Sequence, residues 1–174
     1  DERTGWHTDK EHVPLDTDSF LTIWIPLQLV SSIQDGGTPL LFLDRSHVWQ
    51  PEERYSGQQE EDPVIWSYFP LKVGDATVHH GHMLHSSPKL GSNVEGERWA
   101  LAFSFFVNGA CKTEAPIEES GESEEVDSFR DWAKDIPIGA EANHRWLPEV
   151  TCSLDGVIGS WVGTTSTETK SSCL

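Results

Sequence analysis

"SFLTIWIPLQLV", residues 19–30, is the stretch on which the fold reading turns, and its part "LTIWIPLQLV" (21–30) comes nearest in this chain to a membrane span. Pro26 and Gln28 break it, so the unbroken apolar run falls well short of the roughly 18 residues that a bilayer requires. Its β-branched and aromatic residues instead mark a strand bounded by polar punctuation. Working outward, the same character recurs in "TGWHTD" (4–9), "TPLLFLD" (38–44), "VIWSYFPLKV" (64–73), "DATVHHGHMLHS" (75–86) and "RWALAFSFFVNG" (98–109). Gly, Pro, Asp and Ser separate these segments, and "QDGGTP" (34–39) is a strong turn signal. Six strand candidates without intervening helical periodicity predict a mainly β sandwich or jelly roll.

The rest of the chain qualifies this picture. At 174 residues it has the length of one domain with a real core, expected over residues 1–150. An acidic surface loop is expected at about 112–123. A single helix is expected at about 124–135, with Ser123 as its cap, Glu124 and Glu125 in its first turn, and Val126, Phe129, Trp132 and Ala133 at helical spacing. Residues 151–174 are Ser/Thr-rich and read as a loosely held tail.

Composition excludes several classes of function. A net charge of −17 repels phosphate backbones and anionic membranes, so nucleic acid is not an expected partner. The three cysteines, Cys111, Cys152 and Cys173, form neither a C-x-x-C pair nor an even framework. A reducing, intracellular and cytoplasmic setting is therefore expected. The final "SCL" is similar to a peroxisomal tail but carries Cys173 where a basic residue belongs. The chain does not begin with Met and opens inside a motif, so it is expected to be a fragment without its N-terminal segment; an organellar address stays open.

That opening motif is "GWHTDKEHVPLDTD" (5–18). A spacing of two puts His7 and Asp9 on one side of an extended segment, where they can grip one ion. A third ligand has four candidates in the later His-rich segment: His79, His80, His82 and His85. Alternation along one strand and its turn places His79 and His85 on one face and His80 and His82 on the other. Two imidazoles and one carboxylate form the facial set that binds Fe(II) and leaves positions open for a 2-oxo acid and O2.

A 2-oxoglutarate cosubstrate also needs a fixed cation for its distal carboxylate. Arg98 meets that need, because Ala100, Ala102 and Ser104 on its face are small, while Trp99, Leu101, Phe103 and Phe105 take the other face. A zinc hydrolase could use the same three ligands to activate water, but it gives Arg98 no role.

Three ordered blocks, "WHTD…PLDTDSFLTIWIPL", "GGTPLLFLDRSH" and "GDATVHHGHMLHSSP" with a following Arg, resemble the phytanoyl-CoA dioxygenase family of Fe(II)/2-oxoglutarate oxygenases. The likeness runs from about Gly5 to Ala110, and "DSFRDWAKDIPIGAEANHRWLPEV" is similar to the closing segment of some members. It implies a double-stranded β-helix and a dioxygenase that hydroxylates a small organic or acyl-CoA-like substrate with release of succinate and CO2. It implies His7, Asp9 and His85 as the metal ligands and Arg98 as the 2-oxoglutarate anchor. It also implies Trp24, Thr22 and Ser87 in the cosubstrate pocket, and a structural His47. "LGSNVEGE" (90–97) is expected to bulge so that Arg98 returns to register. With Asp9 in place, hydroxylation is implied rather than halogenation. A non-catalytic metal-binding relative would share the fold without turnover.

Overall fold

A computed structural model describes residues 5–54, 64–88, 98–114 and 128–150. The expected bulge at 90–97, most of the acidic loop, the helix start before Ser128 and the tail at 151–174 lie outside these residues. The chain separates into two compact units, Asp1–Val13 with Asp18–Phe106, and Pro14–Thr17 with Val107–Leu174.

Among the described residues the first unit holds six strands: β1 (Phe20–Pro26), β2 (Leu41–Leu43), β3 (Ile65–Ser67), β4 (Thr77–His80), β5 (His85–Ser86) and β6 (Ala100–Phe106). They form two antiparallel sheets, ordered β4–β1–β6 and β3–β2–β5. Apart from the β2–β3 hairpin, successive strands pass from one sheet to the other, as in the winding of the double-stranded β-helix. Trp24, Val30, Leu40 and Phe42 are buried together between them, with Leu71, Met83 and Ala100 packed alongside. Among the described residues no helix is long and apolar enough to cross a membrane.

Two elements differ from the sequence expectation. "TGWHTD" makes only a single bridge, His7 to His85, because a 3-10 turn, Asp9–His12, follows at once. Thr8 is nevertheless extended and fully buried, so the alternation that puts His7 and Asp9 on one side survives without a regular strand. The His-rich segment is two strands rather than one. The chain turns at Gly81 and His82, and β4 and β5 belong to different sheets.

Directly paired residues of antiparallel strands share a face, so the register builds rows of side chains. In one sheet Trp66, Phe42, His85 and His7 are successive partners across the strands. In the other, His79, Thr22 and Ser104 form the matching row. The Phe42 and His79 rings pack against each other, tilted by 53° with 5.3 Å between centres, so the two rows face each other.

In the second unit Leu15 bridges Lys112 and Cys111 bridges Glu141. The helix Ser128–Asp135 ends against the Lys112 ammonium, which donates to the Ala133 and Ile136 carbonyls. Those carbonyls have no partner within the helix, so a cation suits the position. Trp132 and Ala133, expected to be apolar contacts of this helix, are buried. Cys111 is also buried and is disulfide-bonded, which removes the support that cysteine usage lent to a reducing compartment.

Candidate metal centre

The two rows deliver the side chains of the site. His85 pairs with Phe42 on one side and His7 on the other, so the two imidazoles stand next to each other, 4.2 Å between ring centres. Asp9, just past the extended Thr8, enters between the sheets. Its Oδ1 lies 3.9 Å from His7 Nε2 and 3.5 Å from His85 Nε2. Its Oδ2 accepts a 2.5 Å hydrogen bond from Thr22 Oγ1 and one of 3.1 Å from His79 Nε2. Thr22 has one proton and gives it to Asp9, so the Ser104 hydroxyl, 3.1 Å away, must donate to Thr22.

Each imidazole is fixed by its other nitrogen. His7 Nδ1 lies 2.8 Å from the Gly5 carbonyl and His85 Nδ1 lies 3.0 Å from the Met83 carbonyl. A carbonyl only accepts, so each Nδ1 carries a proton, as in metal sites whose ligating imidazoles donate from the far nitrogen. Burial, the largest influence, pushes His85 down to about 4, against the Met83 carbonyl and the Asp9 charge, which favour protonation. At neutral pH His85 Nε2 is therefore a bare lone pair. Burial would raise the Asp9 carboxyl, but the His79 and Thr22 hydrogen bonds, with the charges of His85 and His79, outweigh it and bring it to about 2.

Those hydrogen bonds leave Asp9 Oδ1 and the two Nε2 atoms facing one another, and all three atoms lie within 4.8 Å of each other. Three electron-pair donors pointed at a common centre repel unless a cation lies among them. The donor set of two neutral imidazoles and one carboxylate, with a second shell that orients each, fits a divalent ion of the iron group.

One cavity of about 200 Å³ joins this cluster to the remaining residues implied by the sequence: Thr22, Trp24, Ser87 and Arg98 line it with His7, Asp9 and His85. The Arg98 guanidinium lies over the Trp24 ring, 5.5 Å from its centre, and donates to the Thr38 carbonyl. Burial lowers its pKa from the usual value. Ala102, on the small-residue face, lines the cavity, as does Leu40. Thr22 serves the carboxylate of Asp9 directly, a role beyond pocket lining.

His79, one of the four candidates for the third ligand, serves the site in a way the sequence did not suggest, by holding Asp9. Its side chain is almost wholly buried, and it touches both Asp9 and the His85 ring, 4.5 Å between centres. The signal was its shared parity with His85; the turn at Gly81 hid the result, because it puts the two in facing sheets. His80 and His82 stay apart from the cluster, and His82 Nε2 pairs with Asp18 at 2.8 Å. His47 lies beside His80, 5.7 Å between ring centres.

Comparison with known proteins places the fold. Residues 1–94 match the family model described as phytanoyl-CoA dioxygenase (PhyH). No curated protein sequence matches. Among solved structures, the non-heme alpha ketoglutarate dependent carbocyclase SnoK from nogalamycin biosynthesis is 19% identical, with a TM-score of 0.64 over 86% of this chain and 57% of that one. The epimerase SnoN from the same biosynthesis is 20% identical, with a TM-score of 0.61 over 84% of this chain and 56% of that one. A further SnoN structure, in complex with Fe3+, alpha ketoglutarate and nogalamycin RO, has a TM-score of 0.53 at 20% identity over 71% of this chain and 50% of that one. The chain thus spans just over half the length of the first two relatives and shares their fold.

Proposed function

Because the chain belongs to the phytanoyl-CoA dioxygenase family, we propose that it carries the centre of an Fe(II)- and 2-oxoglutarate-dependent oxygenase that hydroxylates a small organic substrate. The observation that carries this reading is the convergence of Asp9 Oδ1 with the Nε2 atoms of His7 and His85, every other polar atom of the three side chains being tied elsewhere. When bound there, iron with 2-oxoglutarate and O2 supplies the oxidising power, with succinate and CO2 as co-products.

The chain's own residues do the holding and the excluding. Thr22 and His79 occupy Asp9 Oδ2, so that Oδ1 is the oxygen presented. Arg98 supplies the fixed positive charge that a distal carboxylate needs, and the Trp24 face beneath it limits where the guanidinium can swing. Ser87, buried in the same cavity, is placed to add a hydrogen bond. Leu40 and Trp24 keep the walls apolar and favour a dry site. SnoN and SnoK are named as an epimerase and a carbocyclase; hydroxylation is our reading of the outcome here, and it agrees with the carboxylate at Asp9.

Succinate formation tests the reading. With Fe(II), ascorbate and air, the chain is expected to convert 2-oxoglutarate to succinate slowly even without its organic substrate. Arg98→Ala should raise the 2-oxoglutarate concentration needed by about tenfold or more, the loss of one charge-assisted carboxylate clamp. Succinate release that Arg98→Ala leaves unchanged would remove Arg98 from the site. Hydrolysis with Zn(II), indifferent to 2-oxoglutarate, would replace the oxygenase reading by a zinc hydrolase.

A further inference from the structure

A second cavity in the first unit, about 370 Å³, shares His79 with the metal-centre cavity, and its volume lies in the range of small-molecule sites. Its wall follows from the register of β2 and β3. Phe42 and Trp66 are cross-strand partners, and Asp44 and Tyr68 each lie two residues further along, on the same face. The Asp44 N–H bonds the Val64 carbonyl at 2.8 Å, which continues the pairing past β2. Tyr68 packs against Phe42, 6.1 Å between ring centres.

The chemistry of this wall is specific. Trp66 and Tyr68 are 54% and 59% exposed, so large aromatic surfaces at the cavity stand open to water. Asp44 is the only charged side chain in the lining besides the imidazole of His79, and no Lys or Arg accompanies it. Its carboxylate has no hydrogen-bond or ion-pair partner among the described residues. Leu71 and Met83 supply apolar wall. Aromatic faces with an unpartnered carboxylate attract a cation held by electrostatics and weakly hydrated groups. An anionic group would meet Asp44 here and a chain of net charge −17 beyond it.

We propose that this cavity receives the substrate of the oxygenase and that the substrate is an organic cation, an amine or quaternary ammonium on an apolar body. The assignment rests on the oxygenase reading for the word substrate, while the cation preference rests on the cavity alone. Position suits the role: Phe42 belongs to the cavity wall and lies 6.2 Å, centre to centre, from the ring of the ligand His85. It also disfavours acyl-CoA esters, whose phosphates carry the wrong sign.

Binding to the protein without iron or 2-oxoglutarate separates the two parts. Benzyltrimethylammonium, its neutral isostere neopentylbenzene and the anion phenylacetate would be titrated against the Trp fluorescence. The cation is expected to bind tightest. Asp44→Asn, an isosteric change at a half-buried residue, should weaken the cation by about tenfold or more and leave neopentylbenzene unchanged; Trp66→Ala should weaken both. Equal binding of cation and isostere, an Asp44→Asn variant like the parent, or preference for phenylacetate would overturn the proposal. Anaerobic addition of Fe(II) and 2-oxoglutarate is the control. Cation binding without a chelate band would leave the cation site standing and end only the oxygenase reading. A band without cation preference would end the cavity assignment alone.

Discussion

At the scale of single residues, the site depends on how Asp9 divides its two oxygens. Thr22 and His79 hold Oδ2, and the imidazoles face Oδ1. Thr22→Val keeps the shape of the side chain and removes the donor. It should raise the metal concentration for half-saturation by roughly tenfold to a hundredfold, the usual effect of losing an outer-shell partner; anaerobic titration with Co(II), followed by its visible absorption, measures it. An unchanged titration would show that the Thr22 bond does not orient the ligand. His85 gives a pH prediction for the metal-free protein. Its folded value of about 4 lies below the ordinary 6.5, so between these values the unfolded chain holds the extra proton. The His85 contribution to stability is then full above about pH 6.5, falls as the pH drops towards 4 and levels off below, where the loss from Asp9, held at about 2 against an ordinary 3.8, takes over. His85→Gln should flatten that decline in urea-unfolding curves; an equal decline in the variant would assign it to other groups. The His7 and Asp9 pair was legible because a spacing of two needs only one extended residue, Thr8, between them. His79 was not, since parity along a sequence shows which side a residue takes in one strand but says nothing of a strand that folds over.

At the scale of elements, each strand among the described residues falls within one of the β-branched and aromatic runs, although one run holds both β4 and β5 and loop geometry trimmed the others. "VIWSYFPLKV" keeps only Ile65–Ser67, because Pro70 has no N–H for a ladder. "QDGGTP" was legible as a turn, and its glycines have separate reasons. Gly36 caps a 3-10 turn at φ 80°, where other residues are strained. Gly37 lies so close to Ser31 that a Cβ would meet its carbonyl oxygen at 2.0 Å. Gly37→Ala must therefore move backbone, and we expect a loss of about 1–3 kcal/mol in thermal or urea unfolding. The next residue, Thr38, accepts from Arg98, so the same variant should also weaken 2-oxoglutarate binding. A variant with parental stability would mean that the loop relaxes freely.

At the scale of the whole molecule, the β4–β1–β6 sheet carries the site on one face and an exposed apolar surface on the other. Its inner face carries Thr22, Trp24 and His79; on its outer face Val78, Leu101 and Phe103 are 64%, 45% and 48% exposed. This too was legible, since "LTIWI" and "ALAFSFF" are near-continuous apolar runs rather than strict alternations. An exposed apolar face of this kind promotes association. The isolated chain should bind an apolar-surface dye, and Leu101→Gln with Phe103→Gln should lower both dye emission and sedimenting mass; parental values in the double variant would place the association elsewhere. What the sequence could not convey is the facing of two rows from different sheets, which depends on register. The central claim, that His7, Asp9 and His85 hold iron for 2-oxoglutarate, is tested most directly without oxygen. Fe(II) and 2-oxoglutarate added anaerobically should produce the visible charge-transfer band of the chelate, absent in His85→Ala. If iron binds and no band forms at saturating 2-oxoglutarate, or if His85→Ala retains it, the claim is wrong.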